Sequence, residues 1–383
     1  MIRKWTVLMV LLMIALAAAA CAPAAVPTAT PAAPKPPAAT PTTAAPAPAA
    51  ATPTAAPAKP TQAAPTPAPA PVTLKFGTTG SLSFGGVYIA LEKGFFKEQG
   101  INLEVVNFRT VGELVAPLGT GQVDFVGMPL SSPLLAAADR GIDLKLVADG
   151  SQQRLNWDPS YIVLRKDLAD SGQVKTPKDL KGMKIAIPSQ GGFGQMLIDK
   201  MLEEGGLKRD DVEILVVPHA DQVPAFQNKA IAASWTLEPF IVRGVQGGFT
   251  IRWIPDYKYF GDRVEGAFIV FSPQLAKNRD VAQRWMIAYL KGVRVYLDAF
   301  GDKKVGRDEA VNTLAKYTTA NDPKLFDFMR LTYIDPNGQP DKKSTDAIYK
   351  YFVDSGEYKG TKTMNDIMDL SFADYAVQKL GKQ

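Results

Sequence analysis

Residues 72–106, VTLKFGTTGSLSFGGVYIALEKGFFKEQGINLEVV, pass from a β-branched and aromatic run through a small-residue loop into an apolar helical stretch and out into a second β-branched run. Strand, helix and strand in that order are the unit of an α/β fold. The alternation continues downstream. Strands are expected at 72–79, 101–108, 123–128, 144–149, 161–165, 184–188, 212–218, 233–238, 250–255 and 266–272, most of them followed by a Gly, Ser or Pro turn. Helices are expected at 85–98, 111–119, 131–140, 193–204 and 221–229, with an almost wholly helical C-terminus from about 278. There Val281, Trp285, Ala288, Tyr289 and Tyr296 recur at three- and four-residue steps and make one apolar face.

Upstream of this body the composition is different. Residues 22–71 hold 16 of the 30 prolines among Ala, Thr, Val, Lys and Gln, too little apolar surface for a core, and read as a disordered tether. In extended polyproline form it would reach at most about 150 Å. Before it, Arg3 and Lys4 precede an apolar run, Val7 to Ala20, that ends in AAAA before Cys21. This is the layout of a secretory signal. Fourteen residues at helical rise cover about 21 Å, short of the roughly 30 Å hydrocarbon core.

The formal charge of +5 and pI of about 9.0 suggest nucleic acid only until the charges are located. Arg3, Lys4, Lys35 and Lys59 stand upstream with no acid, and residues 72–383 carry 39 basic against 38 acidic groups. That balance gives no footprint for a phosphate polymer. One Cys and one His exclude a disulfide framework and a Cys/His zinc site, so no metal or cofactor is expected. No GxSxG, GxxxxGK[ST] or HExxH occurs, which leaves hydrolase, nucleotide and zinc-protease readings without support and points away from an enzyme.

A body of 312 residues exceeds what one core usually organises. YIVLR (161–165) opens a fresh run of strands and helices that GAFIVFS (266–272) closes. Lobe 1 is therefore expected at 72–166 and 265–383, with lobe 2 inserted at 167–264. Two crossings between lobes would form a hinge with a ligand cleft between them.

In α/β sheets ligands collect beyond the carboxyl ends of strands, which directs attention to the loops there. The first carries Ser81, Ser83 and Phe84, and Met128 leads into Ser131, which either caps the following helix or touches ligand. The segment from Gly150 to Pro159 holds Gln152, Asn156 and Trp157. After KIAIP come Ser189, Gly191, Gly192 and Phe193 at a helix start able to hold an anion or carbonyl oxygen. Trp235 and Glu238 complete the candidate set, the indole to stack on a ring and the carboxylate to accept from a ligand amine, against core packing and a surface role. His219 reads as a loop or lobe-packing residue rather than a base, with ligand contact as its alternative.

GFFKEQGINLEV, GQVDF, TPKDLKGMKIAIPSQGG, LKRDDVEIL and TLEP follow one another across most of residues 72–272. In that order they resemble the ABC-importer solute-binding proteins for nitrate, taurine, alkanesulfonates and thiamine-pyrimidine precursors. The resemblance implies a two-lobe type II periplasmic-binding fold, a small-molecule ligand, delivery to the transmembrane subunits of an ABC permease, a monomer, and no chemistry. The N-terminus likewise resembles a bacterial lipoprotein signal with Cys21 as the lipidated residue, although Ala18 stands where Leu is more usual. An ordinary secretory signal is the alternative. The resemblance implies an extracytoplasmic protein held to the membrane by lipid alone. Arg154 is the one base in these loops, whereas Phe84, Trp157, Phe193 and Trp235, with Tyr257 and Tyr259, are suited to a flat ring. The expected solute is thus a planar heteroaromatic such as a thiamine-pyrimidine precursor or flavin, with Arg109 and Arg243 keeping an alkanesulfonate, taurine or nitrate open. The thiamine-pyrimidine synthases of this superfamily use an active-site histidine and a cysteine-rich motif that this chain lacks. A non-transport surface lipoprotein is the remaining class.

Overall fold

The computed structural model describes residues 70–383. The signal-like segment, Cys21 and the tether through residue 69 lie outside the described residues. Among the described residues ten strands form at the expected places, β4 running five residues further than expected and β10 starting three residues earlier: β1 (Val72–Thr78), β2 (Ile101–Asn107), β3 (Phe125–Met128), β4 (Lys145–Arg154), β5 (Ser160–Arg165), β6 (Lys184–Ile187), β7 (Glu213–Val216), β8 (Ala233–Leu237), β9 (Thr250–Pro255) and β10 (Arg263–Phe271). They make two five-stranded sheets, ordered β2-β1-β3-β10-β4 and β7-β6-β8-β5-β9. In each sheet the first three strands run parallel, and one strand, β10 or β5, runs antiparallel to both of its neighbours. The two lobes thus share one strand order, a repeat that the sequence did not disclose.

The first crossing between lobes lies earlier than expected. β5 is a central strand of the second sheet, pairing with β8 and β9, so the chain crosses in residues 155–159 and not after 166. It returns in residues 256–262, just before β10. The misplacement has a simple cause. Tyr161 to Leu164 are buried on both faces, and a strand covered on both sides carries no pattern that says which sheet it joins.

Two helical expectations also change. The stretch 85–98 is broken at Gly94, which takes φ 76° and splits it into Gly85–Glu92 and Phe95–Glu98. Beyond 278 the helices Arg279–Phe300, Arg307–Tyr317, Lys342–Asp354, Met364–Ile367 and Ser371–Leu380 form, but 318–341 carries only the short 3-10 turn Pro323–Asp327. Pro323, Pro336, Gly338 and Pro340 account for that. Residue 333 instead bridges to Gln152 beside the first crossing.

The long helix Arg279–Phe300 is the spine of the first lobe. Trp285, fully buried, touches Phe96, Phe125, Phe271 and Tyr289 at ring separations of 5.7, 4.6, 5.1 and 5.1 Å, and its indole N–H has no partner. Trp285→Ala should therefore cost about 3–5 kcal/mol. Trp285→Phe, which removes the orphaned donor while keeping a ring, should cost less than Trp285→Ala because it leaves the smaller cavity. Urea unfolding of the two variants checks both, and equal losses would show that a phenyl ring does not replace the packing of the indole.

Candidate functional site

Two aromatic walls face one another across the lobes, each seated on a glycine. Phe84 from the first lobe lies over Gly127, where an added Cβ would sit 2.2 Å from the ring. Trp235 on β8 lies over Gly194 in the first turn of helix Phe193–Glu204, where a Cβ would meet the indole at 2.3 Å. Any larger residue at either glycine would push a wall into the cleft. Between the walls lies a cavity of about 200 Å³, closed further by Met128, Phe193, Leu237 and Phe240. The lobes touch around it: Ser132 N–H donates to the Gly191 carbonyl at 2.9 Å, Arg109 pairs with Asp221 at 2.9 Å, and Arg243 donates to the Thr319 carbonyl at 2.8 Å.

Behind the walls a buried carboxyl organises the crossings. Asp256, 1% exposed, accepts from Ser160 Oγ at 2.6 Å and from the Trp235 indole N–H at 3.0 Å, while Gln153 donates to Ser160 at 2.7 Å. Burial raises its pKa to about 7, against the opposite pull of those hydrogen bonds. Beside it, buried Asp158 pairs with Arg330 at 2.5 Å and accepts from Tyr161.

Among the described residues lining the cavity, Arg109 is the one formally charged side chain; it is 72% exposed and already paired. His219 opens helix His219–Gln227 and stands on the cavity wall. Its Nδ1 shares a hydrogen bond with Thr236 Oγ1 at 3.2 Å, its ring lies 5.4 Å from Trp235 and stacks on Phe240 at 6.1 Å, and desolvation lowers its pKa to about 4. The imidazole is thus neutral at physiological pH. The cavity offers apolar faces, neutral hydrogen-bonding groups and the first turns of helices Ser132–Asp139, Phe193–Glu204 and His219–Gln227.

The sequence pattern of the family described as NMT1/THI5 like matches residues 81–299. The chain belongs to that family. A provisionally named binding protein of Brucella abortus (strain 2308) is 26% identical over 240 residues, 62% of this chain and 68% of that one. A 4-amino-5-hydroxymethyl-2-methylpyrimidine phosphate synthase of Saccharomyces cerevisiae is 32% identical over 125 residues, 33% of this chain and 34% of that enzyme. Among solved structures, the alkanesulfonate-binding protein of Xanthomonas axonopodis pv. citri bound to MOPS superposes with a TM-score of 0.62 at 19% identity, covering 79% of this chain and 99% of that one. The NMT1/THI5-like chain therefore has the two-lobe fold of the type II periplasmic binding proteins.

Of the residues that its sequence singles out, Ser81, Ser83, Phe84, Met128, Ser131, Ser189, Gly192, Phe193 and Trp235 line the cavity. Five do not. Gly191 spends its carbonyl on Ser132 and its N–H on Gln195. Gln152 donates to the Gln339 carbonyl and bonds Arg154, which stacks on Tyr333. Asn156 is exposed at the tip of the turn, with φ 70°, and Trp157 packs on Tyr296 and Tyr333. Buried Glu238 is occupied by the half-buried Arg252 at 2.6 Å and by the Val242 N–H at 2.9 Å, and it does not line the cavity. The error at 152 is one of parity. β4 runs on to Arg154, so 150–154 is not a loop, and alternation sends Ser151 and Gln153 to the cavity and Gln152 behind it. Phe240 carries no sequence signal for the cavity, and His219 has ligand contact only as its alternative reading, because only the packing of their helices against β8 brings them there.

The single histidine makes the electrostatics measurable. Its NMR titration should show a midpoint near 4, and a midpoint near 6.5 would place the ring in solvent. The fold favours the neutral form, so the stability that this group contributes is complete above about pH 6.5 and is lost as pH falls towards 4.

Proposed function

We propose that the protein is the solute-binding component of an ABC-type import system, lipid-anchored through Cys21 outside the cytoplasm, which captures a small planar heteroaromatic solute and delivers it to a permease. One observation carries the ligand class: a cavity walled by Phe84, Phe193 and Trp235 whose single cation, Arg109, is already paired with Asp221. An uncharged ring gains from stacking and apolar burial there. An anion would have to rely on helix starts alone. The names of the relatives, a binding protein and a pyrimidine phosphate synthase, agree with both parts of this reading. Capture works by population shift: a ligand touching both lobes favours closure only by its differential affinity for the closed state, and docking on the permease must reverse it. The tether supplies reach between the anchor and the body, and among the described residues no helix is long and apolar enough to cross a membrane.

The second reading is an alkanesulfonate, taurine or nitrate carrier. It is favoured by the three helix starts on the cavity and by the fold shared with the alkanesulfonate-binding protein. A thermal-shift panel separates the two. Ligand at a hundred times its Kd adds about 2.7 kcal/mol, a rise of several degrees. 4-Amino-5-hydroxymethyl-2-methylpyrimidine or a flavin should raise the melting temperature of residues 72–383, and taurine, MOPS and nitrate should not. A rise with the anions alone overturns the planar-ligand reading. Compaction in solution scattering on adding the same ligand separates a binding protein from an adhesive lipoprotein, and product formation over many turnovers would make it an enzyme.

The anchor has its own test. Cys21→Ser should move the full chain from the membrane fraction to the soluble one in a bacterial host, and continued membrane association would remove the lipid from the account.

A further inference from the structure

Among the described polar side chains on the cavity, Ser131 from one lobe and His219 from the other have hydrogen-bonding capacity that the protein does not use. Ser131 is 6% exposed and stands at the N-cap position of helix Ser132–Asp139, yet its hydroxyl makes no capping bond and no other side-chain bond. It lines the cavity, and its hydroxyl is not among the fully enclosed orphan atoms. His219, on the other lobe, shares a hydrogen bond with Thr236 through Nδ1 and has the Gln222 side chain within reach of its ring, while no hydrogen bond reaches Nε2 among the described residues and that atom is not fully enclosed. The ring cannot easily turn away. Phe240 stacks on one face, Trp235 leans against it, and Thr236 fixes the far nitrogen.

We propose that His219 is a specificity-determining residue of this cavity: its Nε2 reads the uncharged hydrogen-bonding edge of a flat nitrogen heterocycle, with the Ser131 hydroxyl of the facing lobe as the second contact. The inference rests on the solute-binding reading and deepens it by assigning the ligand's polar edge to named atoms. The charged neighbours do not alter the neutral state of the ring. Asp221, two residues along, is neutralised by Arg109, and Asp256 reaches this region only through the indole N–H of Trp235. Among the described residues of the cavity wall, a cation in the ligand would find no free carboxylate and an anion no free base. A neutral amino-substituted ring presents a donor beside a ring-nitrogen acceptor, so either imidazole tautomer finds a partner, and the serine hydroxyl serves as donor or acceptor. A buried polar group left unpaired by a ligand that lacks this edge is what gives such a site its discrimination.

The test compares 4-amino-5-hydroxymethyl-2-methylpyrimidine with 4-methylbenzyl alcohol, which has the same outline without ring nitrogens or amino group. Calorimetry on wild type should give at least tenfold tighter binding of the pyrimidine. His219→Phe keeps a ring of similar size and should bring the pyrimidine down about tenfold while leaving the alcohol unchanged; His219→Gln, which restores an amide, should recover part of the loss. In wild type, the pyrimidine should shift the 15N resonance of Nε2 and leave Nδ1 nearly still. Circular dichroism and melting of the variants confirm folding. Equal losses for both compounds in His219→Phe would make the residue a packing group, and no loss for either would remove it from the site; in both cases the ligand class survives. A wild-type protein that ignores the pyrimidine and responds to taurine overturns the ligand class and the role of His219 together.

Discussion

The carboxyl of Asp256 is the point on which the arrangement turns. It follows β9 at the return crossing, accepts from Ser160 at the start of β5, and through Ser160 is linked to Gln153 near the end of β4. One buried group thus joins both crossings between the lobes. It also accepts the indole N–H of Trp235, which fixes the plane of the wall that the second lobe presents to the cavity. Burying a carboxyl is costly, and burial raises its pKa to about 7, so the group persists only because Ser160 at the first crossing and Trp235 on β8 both donate to it. Hinge position and wall orientation are set by the same atoms.

The matched sheets explain why the cavity lies where it does. In each sheet three parallel strands deliver their carboxyl ends to one edge, and the antiparallel strand that belongs to the crossing sits between the third and the outermost strand. The loops after β1 and β3 in one lobe and after β6, β7 and β8 in the other therefore open on the same space. Chemistry then follows from what those loops carry, which is aromatic rings, serines and one neutral imidazole, with a single cation that is already paired. The C-terminal segment adds to the closure by reaching across: Arg330 holds Asp158 and Tyr161, and Glu357 receives both Arg209 and Gln195. Because Gln195 in turn accepts the Gly191 N–H, the loop at the cavity is braced from the opposite lobe.

Much of this was written in the chain. Ten strands and the helix Phe193–Glu204 follow from alternation and spacing alone, because each strand lies between turn residues and each buried face repeats at the period of its element. The loops after the strands stood out for the same reason, and nine of the singled-out residues line the cavity. Local pattern failed wherever a choice between two buried environments was needed. Nothing in YIVLR says which sheet it joins, and nothing in GSQQR says that β4 continues and sends Gln153 rather than Gln152 inward.

By itself, then, the sequence determined the alternation of elements, the Pro-, Ala- and Thr-rich composition ahead of the body, the near-neutral charge of that body and the loops that line the cavity, since all of these depend on periodicity, composition and turn chemistry within a few residues. Tertiary structure alone decided the location of the crossings, the pairing of Glu238 with Arg252, and the presence of a neutral His219 between Trp235 and Phe240. Those depend on contacts between residues distant in sequence or on how helices pack against a sheet, and a side chain's charge state is set by what surrounds it, which no reading of its neighbours along the chain supplies.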